Sequence, residues 1–151
     1  HPGRVYMVEG AVLGGSELTV GVLDGGALAP IRIRPAVEFY DYEAKYNRDD
    51  TKYICDPKIS EKVARKISKA TARIAKAIGC RHLARADFML DENDVAWFLE
   101  INTLPGFTAT SLFPEAAGVA GLSLPTLCDL LVRSAHARGP TPRNDARPLP
   151  S

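Results

Sequence analysis

From Ser16 to Leu23 apolar and polar residues alternate, with Leu18, Val20 and Val22 on one side and Glu17, Thr19 and Gly21 on the other, the period of a half-buried strand. Asp24-Gly25-Gly26 supplies residues suited to the positive φ angles of a tight reversal. In residues 28–34, Ile31 and Ile33 alternate with Arg32 and Arg34, which predicts the second arm of a β-hairpin. Residues 35–53 keep no period; this polar, tyrosine-rich stretch, with Phe39, Lys45 and Tyr46, reads as a long loop, and long loops inside compact domains usually serve function. Between residues 57 and 79, Val63, Ile67, Ala70, Thr71, Ile74 and Ile78 recur at helical spacing, with Ser60 as N-cap and Gly79 just past the end. Residues 82–90 and 95–102 are strand-like runs around the turn cluster Asp91-Glu92-Asn93-Asp94, a second hairpin. Residues 111–120 and 124–138 read as helices capped by Ser111 and Ser123, with Gly121 between them. The tail 139–151, rich in proline, is expected to be disordered, leaving residues 1–138 as one folded domain. Hairpin, loop, helix, hairpin, loop, helices is the order of an α+β domain, an antiparallel β-sheet with flanking helices.

Charge and composition narrow the partners. In 151 residues, Lys+Arg 19 nearly balance Asp+Glu 18, so nothing in the net charge calls for nucleic acid or a polybasic membrane contact. The basic face of the 57–79 helix, Lys62, Arg65, Lys66, Lys69, Arg73 and Lys76, reads as a solvated outer surface. Apolar runs are far shorter than the roughly 20 residues that span a bilayer, so no membrane helix is expected. Cys55, Cys80 and Cys128 are odd in number and scattered, as are His1, His82 and His136, which predicts reduced thiols, a cytoplasmic setting and no zinc site. The start, His1-Pro2-Gly3, shows no secretory signal and reads as a cut.

The chemistry gathers in the second hairpin. With residues 91–94 as the turn, Leu90 faces Val95, Arg85 lies across from Glu100 and Asp87 across from Phe98. Arg85, Asp87, Glu100 and Asn102 then converge on one face, while Ala84, Ala86, Phe88, Trp97, Leu99 and Ile101 form the core face. Asp87 and Glu100, diagonal neighbours about 7 Å apart or less, repel unless a cation lies between them. Two carboxylates and an amide suit Mg²⁺, which completes its shell with water and substrate phosphates. The alternative is a surface ion pair in which Arg85 neutralises Glu100. Just beyond Asn102, Gly106 and a helix opening at Ser111 bring backbone N–H donors to the same place.

The run Glu100-Ile101-Asn102-Thr103-Leu104-Pro105-Gly106-Phe107-Thr108 with Ser111-Leu112 resembles the closing motif of the D-alanine–D-alanine ligases of the ATP-grasp superfamily. Ser16–Leu23 resembles that family's strand entering the ATP site, residues 39–46 its substrate-proximal loop, and Arg85-Ala86-Asp87 its Arg-x-Asp strand, in order from about Val8 to Ala135. The resemblance implies an ATP-grasp C-terminal lobe. It implies ATP and two Mg²⁺ ions, or Mn²⁺ in their place, with Asp87, Glu100 and Asn102 as metal ligands. Glu17 would accept the ribose hydroxyls, Phe39 would pack on adenine, Leu99 and Glu100 would line the nucleotide site, and Lys45 would neutralise γ-phosphate charge. Arg85 and the Gly106 N–H would surround the tetrahedral carbon formed as one D-alanine attacks the acyl phosphate of another, whose partner's carboxylate Ser111 and Leu112 would receive. Tyr46 stands where relatives that make a D-alanyl ester differ, which favours an amine nucleophile and the dipeptide. One position departs: Gly10 holds the place of a usual glutamate, and Glu9 precedes it. The resemblance covers only this lobe. The implied partners are therefore D-alanine, ATP, the N-terminal and central lobes of the same enzyme and, when complete, a second subunit in a homodimer. The implied role is peptidoglycan precursor synthesis, and the 151 residues alone are expected to be inactive. A non-catalytic nucleotide-binding remnant and another ATP-dependent carboxylate–amine ligase are the alternatives.

Overall fold

The computed structural model describes residues 3, 5–12, 14–34, 52–54 and 59–139. Within them lie β1 (Ser16–Leu23), β2 (Gly26–Ala27), β3 (Ile31–Arg34), β4 (Lys52–Ile54), β5 (Leu83–Leu90), β6 (Ala96–Asn102), α1 (Glu61–Ala77), α2 (Leu112–Val119) and α3 (Leu124–Arg138). The strands form one antiparallel sheet ordered β4-β3-β1-β5-β6, with β2 paired to the end of β1, so the α+β architecture is as expected. Among the described residues no single helix is long and apolar enough to cross a membrane, and Cys80 and Cys128 are free thiols.

Asp24 (φ 45°) and Gly25 (φ 84°) make a two-residue turn, and Gly26 already pairs with Leu23 as part of β2. The arm expected over residues 28–34 is interrupted: Pro30 has no N–H to give to the ladder, and pairing with β1 resumes at Ile31, opposite Thr19. Residues 52–54, the first two of them expected as loop, are a strand on β3, too short to show a period. The remainder of the tyrosine-rich stretch, including Phe39, Lys45 and Tyr46, lies outside the described residues, as does the tail 140–151.

β1 sits between β3 and β5 and is buried on both faces over Leu18–Val22, not on one face only. On one side Val63 and Ile67 of α1 pack with Leu18, Val20, Ala86, Phe88 and Leu90. On the other, Phe113 of α2 presses so closely that a Cβ at Gly21 would lie 3.2 Å from its ring and 2.8 Å from Leu28. Phe113, Ala117 and Leu127 join α2 and α3 into a second core on that side.

α1 follows its pattern. Ser60 Oγ accepts from the Val63 N–H (3.3 Å), Gly79 follows the last turn at φ 71°, and Val63, Ile67, Thr71 and Ala75 are buried at helical spacing. Ile78, expected in that stripe, is exposed at the C-cap. Its basic side chains are all exposed.

The second hairpin differs in register from the expectation. Its connection is five residues, 91–95, because Leu90 pairs with Ala96 and not with Val95. Asp91 organises it: Oδ1 accepts from the N–H groups of Asn93 and Val95 (both 2.9 Å), and Oδ2 accepts from the Trp97 indole N–H (2.9 Å). An odd connection alone would turn Glu100 and Asn102 to the face opposite Asp87. A β-bulge corrects this. Phe88 pairs with Phe98, Asp87 with Glu100 and Arg85 with Asn102, so Leu99 is the extra residue. Ile101 thereby returns to the core opposite Ala86, whereas Trp97 and Leu99, expected in the core, are about half exposed on an edge strand.

Two outcomes follow from this packing. Its hydrogen bond from Trp97, then that from Val95, hold the Asp91 carboxyl below its ordinary range. The folded-state pKa being depressed, the hairpin's contribution is present above the unfolded value and disappears as pH falls through the folded one. Fluorescence of Trp97, the single tryptophan, should therefore change only below about pH 3.9, and Asp91→Asn should abolish that acid step; a step at an ordinary carboxylate pH would contradict the clamp. Thr71 is fully buried and its Oγ1 has no hydrogen-bond partner among the described residues. Thr71→Val should accordingly raise unfolding free energy by ~1 kcal/mol in urea denaturation.

Candidate active site

Because paired residues share a face, the register assembles one polar surface from three strands: Glu17 and Thr19 on β1, Arg85 and Asp87 on β5, Glu100 and Asn102 on β6. α2 reaches the same surface, since Phe113 covers Gly21, which pairs with Arg85. α1 lies on the other side. The sheet thus carries the α1 core on one face and, beside the α2–α3 core, this polar set on the other.

Asp87 is the centre of that surface and is 6% exposed. Its Oδ1 accepts from Thr19 Oγ1 (2.6 Å) and from Arg85 Nε (3.0 Å), and its Oδ2 accepts from Arg85 Nη2 (2.8 Å). Glu100 stands directly opposite, not diagonally, which brings the two Cβ atoms to ~4.5–5.5 Å. Glu100 is exposed, so the pair opens to solvent on one side. The expected pairing of Arg85 with Glu100 is replaced: Arg85 bridges to Asp87 on its own strand and faces Asn102 across the ladder.

Asn102 ends β6, and its Oδ1 accepts from the Leu104 N–H (2.9 Å), fixing where the chain leaves the sheet. Pro105 is buried, and at Gly106 a Cβ would lie 3.1 Å from Ser111 Oγ. Ser111 occupies the N-cap position of α2 without capping it: its Oγ accepts from the Thr108 N–H (3.0 Å) and contacts Thr108 Oγ1 (2.7 Å). The first-turn N–H groups of α2, beginning at Leu112, therefore have no side-chain cap and remain suited to an anion. Glu17 is half-buried on β1, and Leu99 is the exposed bulge residue beside Glu100.

Among the described residues no three His, Cys, Asp or Glu side chains cluster. The donor set is instead two facing carboxylates and an amide oxygen with a lone pair to spare, all hard oxygen ligands that fit Mg²⁺ or Mn²⁺. Thr19 is the member that the sequence did not single out. Its signal is its place on β1, opposite Asp87 once β1 and β5 are known to pair.

Residues 3–133 match the family described as D-ala D-ala ligase C-terminus. The chain is 46% identical over 123 residues to a D-alanine–D-alanine ligase of Dechloromonas aromatica (strain RCB), covering 82% of this chain and 40% of that protein. It is 38% identical over 135 residues to one of Methylacidiphilum infernorum (isolate V4), covering 89% and 44%. Its structure is similar to that of the Bacillus anthracis D-alanine–D-alanine ligase complexed with ATP, with TM-score 0.70 and 29% identity over 83% of this chain and 40% of that one. It is also similar to the VanG D-Ala:D-Ser ligase of Enterococcus faecalis, with TM-score 0.67 and 29% identity over 80% and 36%. The chain thus spans about two fifths of the length of the curated relatives it matches. The six-stranded sheet and its polar face lie inside the matched residues, and the chain belongs to the D-alanine–D-alanine ligase C-terminal family.

Proposed function

We propose that this chain is the C-terminal lobe of a cytoplasmic ATP-dependent D-alanine–D-alanine ligase of peptidoglycan precursor synthesis. The observation that carries the reading is the Asp87–Glu100 pair, held opposite each other by the bulge at Leu99 and followed directly by Asn102, the Gly106 loop and the N-terminus of α2. In the reaction ATP phosphorylates the carboxylate of a first D-alanine, the amine of a second attacks the acyl phosphate, and phosphate leaves as the peptide bond forms. Asp87, Glu100 and Asn102 would hold two Mg²⁺ ions, which when bound neutralise the triphosphate.

The chain's own residues supply position and charge. Glu17, on the same face, accepts the ribose hydroxyls, and Leu99 and Glu100 line the nucleotide site with Phe39, which packs on adenine. Lys45 neutralises γ-phosphate charge. Arg85 and the Gly106 N–H stabilise negative charge as it develops at the reacting carbon. Ser111 and Leu112 receive the second substrate's carboxylate at the uncapped helix N-terminus. Tyr46 favours an amine over a hydroxyl nucleophile. The remaining partners are the N-terminal and central lobes carried by full-length relatives, and a second such subunit.

In a full-length ligase carrying this segment, Asp87→Asn or Glu100→Gln should lower D-alanine-dependent phosphate release on the order of 10²–10³-fold with an unchanged circular dichroism spectrum. An amide keeps the shape but not the negative charge. Near-normal turnover in both variants would refute the assignment.

A further inference from the structure

The carboxylate assigned to the metal is already occupied. Arg85 grips Asp87 with both arms of its fork, Nε on Oδ1 and Nη2 on Oδ2, while Thr19 donates to Oδ1 from the neighbouring strand. A carboxylate has about four lone-pair sites, and three are taken. The side chains of Arg85 and Asp87 are only 18% and 8% exposed, so water screens this pair poorly. A divalent cation on the same carboxylate would lie within a few ångströms of a guanidinium charge, and the two repel.

We propose that Arg85 is an exchangeable counter-ion: it neutralises Asp87 in the metal-free lobe and is released from it when a divalent cation takes the Asp87–Glu100 pair. This rests on the reading of Asp87 and Glu100 as metal ligands and adds a regulation to that site. The two partners of Asp87 differ in their ability to move. Thr19 is 2% exposed, short and limited in its rotamers, in the middle of the central strand. Arg85 has a long side chain with several rotatable bonds, near the end of β5 and opposite Asn102. Thr19 therefore stays as the positioning residue that holds the carboxylate, and the guanidinium swings. Released Arg85 remains on the polar face, beside the strand that Phe113 of α2 covers. The lobe thus couples metal loading to opening of the Arg85–Asp87 bridge.

The two residues make opposite predictions for metal affinity. Mn²⁺ is titrated into the 151-residue chain and followed by electron paramagnetic resonance, with Mg²⁺ titrated in parallel while the Arg85 Nε–H resonance is observed. Arg85→Gln should bind Mn²⁺ roughly tenfold or more tightly than the parent chain, because the competing charge is gone. Thr19→Val should bind roughly tenfold more weakly, and Thr19→Ser, which restores the hydroxyl, should recover the affinity. The Arg85 Nε–H signal should shift in step with Mg²⁺ occupancy, a readout that stands even where a variant folds poorly. If Asp87→Asn abolishes binding but Arg85→Gln does not tighten it and the Nε–H signal stays still, the exchange is overturned and the metal reading survives. Binding that Asp87→Asn leaves unchanged overturns both.

Discussion

The candidate site depends on a single constraint of register. Side chains on a strand alternate with a period of two, so each one-residue change in the β5–β6 hairpin moves every later β6 side chain to the other face. Asp91 closes a connection of five residues by accepting three hydrogen bonds, and that odd count would by itself separate Glu100 from Asp87. The bulge at Leu99 adds a second odd step, and the two together bring the carboxylates face to face and return Ile101 to the core. A bulge of this kind re-aims side chains, and here it does so at the centre of the polar surface.

The remainder of the fold holds that surface still. α1 seals one side of the sheet with Val63, Ile67, Thr71 and Ala75, and the other side is shared by the polar set and the α2–α3 core. The absence of a side chain at Gly21 lets Phe113 approach β1, and α2 thereby brings its N-terminus to the face that carries Arg85. Asn102 completes the arrangement from the edge, since its side chain fixes the first step of the loop towards Gly106 and Ser111. Three strands and one helix end therefore converge and, among the described residues, form no cluster of three His, Cys, Asp or Glu side chains. The buried Asp87 charge is instead satisfied by Thr19 and Arg85.

Much of this was legible in the sequence wherever periodicity spans several turns or pairs. The stripe of α1 and its Ser60 cap, the extent of β1 though not the burial of its second face, and the polar set Arg85, Asp87, Glu100 and Asn102 were readable. The polar set was right for a reason only partly right. An even turn with continuous pairing predicts the shared face, and so does an odd turn with a bulge, and alternation counted from one end cannot tell them apart. The core assignments of Trp97 and Leu99 failed because they assumed an even connection: the five-residue one sets Trp97 opposite Met89, and Leu99 is the bulge residue. Thr19 was missed because its role exists only through the non-local pairing of β1 with β5, 68 residues away in sequence. The short strand at residues 52–54 was invisible because three residues make no pattern.

The most direct test of the register is a set of cross-strand nuclear Overhauser contacts in the 151-residue chain. Backbone contacts should link Phe88 with Phe98 above the bulge and, below it, Asp87 with Glu100 and Arg85 with Asn102. Contacts linking Asp87 with Leu99 and Arg85 with Ile101, the uninterrupted continuation of the upper register, would place Glu100 on the core face and contradict the account.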